Sequence, residues 1–340
     1  MSRLARAEVR QMRVSRCQIL LCLLSAGLVL APFVYAQPQL KKIRMGISTT
    51  SIAFLSIYAG QLKGFYRDEG IDLELILMPA TLASSAVLTG DIDYNGAVTG
   101  VIAAAVQGRP MKVLIFTADR SLQSLIVRKK IKEPKDLKGK KIAGSTPGAT
   151  ATLLARLATK HFGLDPDRDV GILTMGGGDS ARLAALESGI ADATILSVPI
   201  SIVAVEKGYR ELFFLGEIAR FPQTGFGTSD KKIKENPDEV LRMVRATLRG
   251  LMFTWDENNR DAVLDIIMKR LKIDDRRFAD EVFKQRTRGL TRDASVRPEG
   301  VQALIDLQRE SSKVTRPVPI AQVVDYSFVE KARKELGLAR

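Results

Sequence analysis

The stretch Ser145-Thr146-Pro147-Gly148-Ala149-Thr150 places three hydroxyls and a glycine between an apolar strand and a helix. The first N–H groups of a helix have no partner inside it, and the positive end of its dipole lies beside them, so such a loop is a ready anion-binding position. Gly148 lets a ligand approach the backbone, while Ser145, Thr146 and Thr150 can donate or accept. Ser48-Thr49-Thr50-Ser51 stands at the equivalent point after another strand. Two hydroxyl-rich helix entries are what a two-sided clamp around a small polar solute requires. Helix capping is the competing role for each hydroxyl taken singly.

Other constellations point away from catalysis. Gly176-Gly177-Gly178-Asp179-Ser180-Ala181 fits G-x-G-x-x-A between a strand and a helix, as in a dinucleotide site. The following strand ends at Ser197-Val198-Pro199, however, where a dinucleotide domain would put an acid for the ribose. Asp179 therefore reads as the cap of the next helix, with a hydrogen bond to a ligand amine or hydroxyl as the alternative. Gly139-Lys140-Lys141 lacks the remaining parts of a phosphate-binding loop. His161 is the only histidine, so a histidine cluster for zinc is excluded, and no G-x-S-x-G motif accompanies it. No cofactor, metal or catalytic residue is expected.

The elements that must position these loops follow from periodicity. Strands at 41–48, 71–78, 93–97 and 111–117 alternate with helices from about 53 to 69, 84 to 89 and 100 to 107. A second alternation begins with a strand at 141–144 and a helix at 151–161. Helices inserted between strands at this spacing imply parallel pairing with right-handed crossovers. Segments 121–130 and 221–230 read as strands passing from the first lobe to the second and back. Asn236-Pro237-Asp238-Glu239 is a helix start, followed by Val240, Val244, Leu248, Leu251 and Trp255 on one face. Further amphipathic helices near 260–271, 276–288, 298–311 and 323–336 are expected to wrap the first lobe.

A repeat supports two similar lobes. LTGDIDYNGAV, from Leu88, returns about a hundred residues later as LESGIADATILSV, so Gly90 and Asp93 correspond to Gly189 and Asp192, and Gly108 to Gly208. Each copy ends a helix at glycine, places an aspartate before a short strand, and closes the next helix with a second glycine. The cleft between twin lobes, beyond the carboxyl ends of their strands, is the natural ligand site.

Composition narrows the setting. Arg3, Arg6, Arg10, Arg13 and Arg16, then the apolar run Ile19 to Val34 and Val34-Tyr35-Ala36, form a secretory signal peptide with cleavage expected after Ala36. Both cysteines, Cys17 and Cys22, fall inside it, so the mature chain would carry no thiol, which suits a bacterial periplasm. Net charge is +14 for the whole chain. Removing the leader leaves 47 basic and 37 acidic residues, a net +10. The basic residues are interleaved with acids and have few aromatic neighbours, so nucleic acid is not an expected partner.

In this order, RMGISTTS, AGQLKGFYRDEGIDLEL, LTGDIDYNGAV, LKGKKIAGSTPGAT, LESGIADATILSVP and NPDEVLRMVRAT resemble the periplasmic solute-binding proteins of ABC importers, of the type serving nitrate, sulfonates, taurine and pyrimidine thiamine precursors. The resemblance spans essentially the whole mature chain. It implies an α/β, two-lobed type II periplasmic-binding-protein-like fold, each lobe a mostly parallel sheet flanked by helices, joined by two crossover strands. The expected division is residues 1–36 as signal peptide, 37–127 as the first part of lobe 1, 128–224 as lobe 2 and 225–340 as the helical return of lobe 1. By position, the ligand-contacting loops would hold Ser48, Thr49, Ser51, Thr81, Asn95, Thr99, Gly148, Ala149, Thr150, Gly177, Asp179, Ser197 and Pro199. Phe54 would either stack on a planar ligand or belong to the core, and no lysine or arginine stands within these loops. The implied function is a monomeric, non-catalytic receptor that delivers a small polar solute, sulfonate-, carboxylate- or pyrimidine-like, to a membrane permease. The rivals are an enzyme on the same scaffold acting on a pyrimidine or carboxylate, and a solute-sensing domain.

Overall fold

The alternation of short apolar strands with helices builds two five-stranded sheets of identical plan. The computed structural model describes residues 39–338; the leader, its cleavage point after Ala36 and both cysteines lie outside them. In chain order come β1 (Lys41–Ile47), α1 (Leu55–Leu62), β2 (Ile71–Leu77), α2 (Ala80–Thr89), β3 (Tyr94–Ala97), α3 (Val98–Val106), β4 (Met111–Phe116) and β5 (Gln123–Val127). The second run is β6 (Lys141–Gly144), α4 (Thr150–His161), β7 (Gly171–Thr174), α5 (Gly178–Glu187), β8 (Ala193–Ser197), α6 (Ile200–Glu206), β9 (Arg210–Phe214) and β10 (Thr224–Ser229). The longer helices of the return are α7 (Pro237–Trp255), α8 (Arg260–Leu271), α9 (Arg276–Lys284), α10 (Pro298–Ser311) and α11 (Ser327–Glu335).

Strand order is β2-β1-β3-β10-β4 in one sheet and β7-β6-β8-β5-β9 in the other. The first three strands of each are parallel, and the fourth runs antiparallel to both its neighbours. That fourth strand is in each case the one the chain uses to cross between lobes. β5, which the sequence assigns to the end of the first lobe, is thus hydrogen-bonded within the second sheet, between β8 and β9. Its five residues are all buried, and an apolar strand without alternation is stable only inside a covered sheet.

The echoed residues do the same work twice. Gly90, Gly108, Gly189 and Gly208 all have φ between 83° and 90°, the left-handed conformation that ends a helix. Asp93 takes the N–H of Arg44 at 2.9 Å, and Asp192 takes that of Lys141 at 3.2 Å, so each aspartate ties its strand to the opening strand of its own lobe. Local departures from the sequence reading have local causes. The helix expected over 53–69 breaks at Gly64, where φ is 81°, into α1 and a short turn at Phe65–Asp68. Asn236 makes no side-chain cap bond to α7, leaving Pro237 as the start signal.

α7 lays its predicted face on α1, with Val240, Val244, Leu248 and Leu251 at 0% exposure. Beside its start a charge cluster surrounds the buried carboxyl of Glu239. The Lys232 ammonium lies 2.7 Å from Asp93 and 2.7 Å from Glu239, Lys41 pairs with the same glutamate, and the Tyr94 hydroxyl donates to it at 3.1 Å. Burial opposes the Glu239 charge, but hydrogen bonds from Lys232 and Lys41 outweigh it and hold the carboxyl below its ordinary value of 4.5. A depressed carboxyl contributes stability that is present above its unfolded value and lost as pH falls through the folded one. Glu239→Gln is therefore expected to cost about 2 kcal/mol at pH 7. In urea titrations the difference from wild type should shrink steadily below about pH 4; a difference independent of pH would show that the carboxylate charge contributes nothing.

Candidate functional site

Between the two sheets, where their strand ends face one another, lies a cavity of about 270 Å³. Its wall is made largely by the starts of four helical segments. Ser48, Thr49 and Ser51 enter the turn before α1, Pro79 and Ala80 begin α2, Ala149 and Thr150 begin α4, and Gly177 and Gly178 begin α5. The starts of helical segments from both lobes thus border one volume. Hydroxyls of Ser145, Thr146 and Ser197 add to the wall, and Phe54, Leu77, Met78, Leu122 and Met175 supply its apolar faces.

The lobes touch around this space through direct bonds. Thr49 donates to the Asp179 carboxylate at 2.6 Å, the Ile52 N–H to the Val198 carbonyl at 3.1 Å, and the Thr81 and Thr146 hydroxyls lie 3.2 Å apart. Thr99 and Thr150 make a similar pair at 2.9 Å. Buried Gln308 of α10 spans the seam, its amide donating to the carbonyls of Thr99 at 3.2 Å and Gly148 at 2.8 Å. Lys160 and Glu310 pair across the same side.

Of the residues taken from position, Ser48, Thr49, Ser51, Ala149, Thr150, Gly177 and Ser197 line the cavity. The others stand behind or beside it. Asn95 is fully buried, donating to the Ala80 carbonyl and the Ser84 hydroxyl and accepting from the Ala97 N–H, each at 2.9 Å, which fastens α2 to β3. Thr81 and Thr99 serve the interlobe pairs. Gly148, with φ of 77°, faces Gln308. Pro199 belongs to a separate groove with Ile273 and Phe278. Asp179 is not a cap, since Gly177 holds that position. It lies one layer back, 2% exposed, where it pairs with Arg182, accepts from Thr49 and takes the Ser197 N–H at 3.3 Å.

Among the wall side chains that escaped the sequence reading are three long polar ones. Arg182, one helical turn beyond Asp179, reaches the cavity from outside the loops, its Nε fixed by the Ile195 carbonyl at 2.9 Å. Gln123 and Gln223 stand at the entrances of the two crossover strands and form part of the floor. Their signal was available once 121–130 and 221–230 were read as crossovers, because strand entrances at a hinge face the cleft. Phe54 is 1% exposed, as a core side chain is, and also forms part of the wall. Among the described residues no group of three or more His, Cys, Asp or Glu is placed to hold a metal, and no helix is long and apolar enough to cross a membrane.

Two mixed α/β lobes joined by two antiparallel crossovers, with a cavity between them, define the type II periplasmic-binding-protein fold. The chain belongs to the NMT1/THI5 like family, matched over residues 51–260. It is 22% identical to the putative binding protein YtlA of Bacillus subtilis (strain 168), over 88% of this chain and 92% of that one. It is 25% identical to the riboflavin-binding protein RibY of Chloroflexus aurantiacus, over 70% of this chain and 69% of that one. Among solved structures, the periplasmic nitrate-binding protein NrtA from Synechocystis PCC 6803 superposes with a TM-score of 0.72 at 15% identity, covering 89% of this chain and 90% of that one.

Proposed function

We propose that this protein is an exported solute receptor of an ABC importer, which captures a small polar solute between its lobes in the bacterial periplasm and presents the closed form to a membrane permease. The observation that carries the reading is the cavity itself, walled by helix starts and hydroxyls from both lobes and bordered by direct interlobe hydrogen bonds. Solute that makes contacts with both walls stabilises the state in which they meet, and so shifts the equilibrium between open and closed forms. Hydroxyls, backbone amides and one ion pair form a donor set suited to holding a molecule. The named binding proteins among its relatives support the same role, and a single chain provides both walls, so a monomer suffices.

Native mass spectrometry of the purified protein is expected to show a co-purified small molecule, or calorimetry to show one-to-one binding of a small polar solute. Turnover of the bound molecule would replace this reading with an enzyme. Failure of every solute in a broad panel, with none co-purified, would remove it.

A further inference from the structure

Resting on the receptor reading of the cavity, we infer that Gln308 is a latch: a positioning residue that keeps part of the protein closed before any solute arrives, and so raises affinity for every solute by the same factor. The sequence marks the residue first. Val301, Leu304 and Ile305 form the buried stripe by which α10 packs on α3, each at 0% exposure. Gln308 takes the next place on that stripe, two helical turns after Val301. An amide stands there, also at 0% exposure, where an apolar side chain would complete the face. Burying an amide is unfavourable unless its N–H groups are bonded, and these reach the carbonyls of Thr99 in lobe 1 and Gly148 in lobe 2. Both partners can only accept, which fixes Nε2 at this end of the amide.

One side chain thus ties the two lobes together at the loop that supplies Ala149 and Thr150 to the cavity, while itself standing outside the wall. That placing separates it from the other interlobe links. Thr49, Thr146 and Thr150 line the cavity, so a solute can rearrange the bonds they make. Lys160 and Glu310 are off the wall but 45% and 57% exposed, and an ion pair so hydrated holds little. Gln308 joins the lobes by side-chain bonds that are both buried and out of the solute's reach. Its Oε1 has no partner among the described residues and lies against Gly148, so parting the lobes opens that oxygen to water and partly offsets the bond lost to lobe 2. The latch is therefore reversible. A protein already closed for part of the time spends less of a solute's binding free energy on closing, and the gain is the same factor whatever the solute.

The test needs no solute. With Cys17→Ser and Cys22→Ser removing the chain's own thiols, nitroxide labels are attached at Asp72→Cys in lobe 1 and Ala184→Cys in lobe 2, both exposed positions. Electron–electron double resonance on the purified protein, stripped of co-purified solute, then reads the distance between the lobes. Wild type is expected to populate the separation of this structure. Gln308→Glu, which turns a carboxylate on the two carbonyls, and independently Gln308→Ala should each lower that population relative to the open form about tenfold, the scale of two buried hydrogen bonds. The melting temperature should stay within a few degrees, whereas a residue that merely packs would lower it and leave the distances alone. Glu310→Ala, which removes the hydrated pair, should change the ratio no more than about twofold. A wild-type distribution with only the longer distance, an unchanged ratio in both Gln308 variants, or an equal drop in Glu310→Ala overturns the inference. None of these outcomes touches the receptor reading, which solute binding decides separately.

Discussion

Asp179→Ala is expected to destabilise the protein by about 3 to 5 kcal/mol, the usual cost of stripping one partner from a buried ion pair. Arg182 would keep its charge at 5% exposure with only the Ile195 carbonyl to bind, while Thr49 and the Ser197 N–H would each lose an acceptor. For a chain of this size the melting temperature should fall on the order of 10 °C. Replacing both members, Asp179→Leu with Arg182→Met, should recover much of the loss, because two buried charges exchanged for apolar groups cost far less than one left alone. The binding readout separates this role from packing. Asp179→Asn retains the shape and an acceptor for Thr49 but frees the guanidinium, so nitrate or ethanesulfonate affinity should rise at least tenfold. Unchanged stability in Asp179→Ala would mean that the pair contributes nothing to the closed lobes.

The fold was legible because its signals are repeated and local. Four glycines at helix ends and two aspartates before strands recur about a hundred residues apart, and each pair performs one task in both sheets. Strand and helix positions followed from apolar periodicity, and α8 and α10 begin and end where the pattern placed them. The site was legible where it is made of helix starts, since Ser48, Thr49, Ala149 and Thr150 need only a strand before them and a helix after them to face the cleft. It was not legible where tertiary packing decides. Asn95 and Thr99 have the residue types of a binding loop, yet α2 packs against β3 and α4 meets α3, so their polar groups are spent on Ala80, Ser84 and Thr150. Conversely, Gln123 and Gln223 line the cavity from the entrances of β5 and β10, two strands of different sheets. The crossover reading located both strands, but residue type alone does not single out these two glutamines.

Two glycines in loops that read alike should respond in opposite ways. Gly176 lines the cavity, has no strained backbone angle, and a Cβ built there meets nothing within 4 Å. Gly176→Phe can therefore enter the solute's volume without disturbing the fold. Affinity for the solute that wild type binds should drop about a hundredfold, equivalent to nearly 3 kcal/mol, and the unliganded melting temperature should stay within a few degrees. Gly148 is outside the cavity wall, holds φ at 77°, and a Cβ there would stand 3.4 Å from Gln308 Oε1. A β-branched side chain in that backbone region is strained by roughly 1 to 3 kcal/mol. Gly148→Val should accordingly lower stability, and weaken binding only to the extent that the Gln308 bond to the Gly148 carbonyl holds the lobes together. Calorimetry and thermal unfolding on the two variants make a crossed comparison. Should Gly148→Val abolish binding at full stability while Gly176→Phe binds as wild type does, the solute sits elsewhere than between these helix starts.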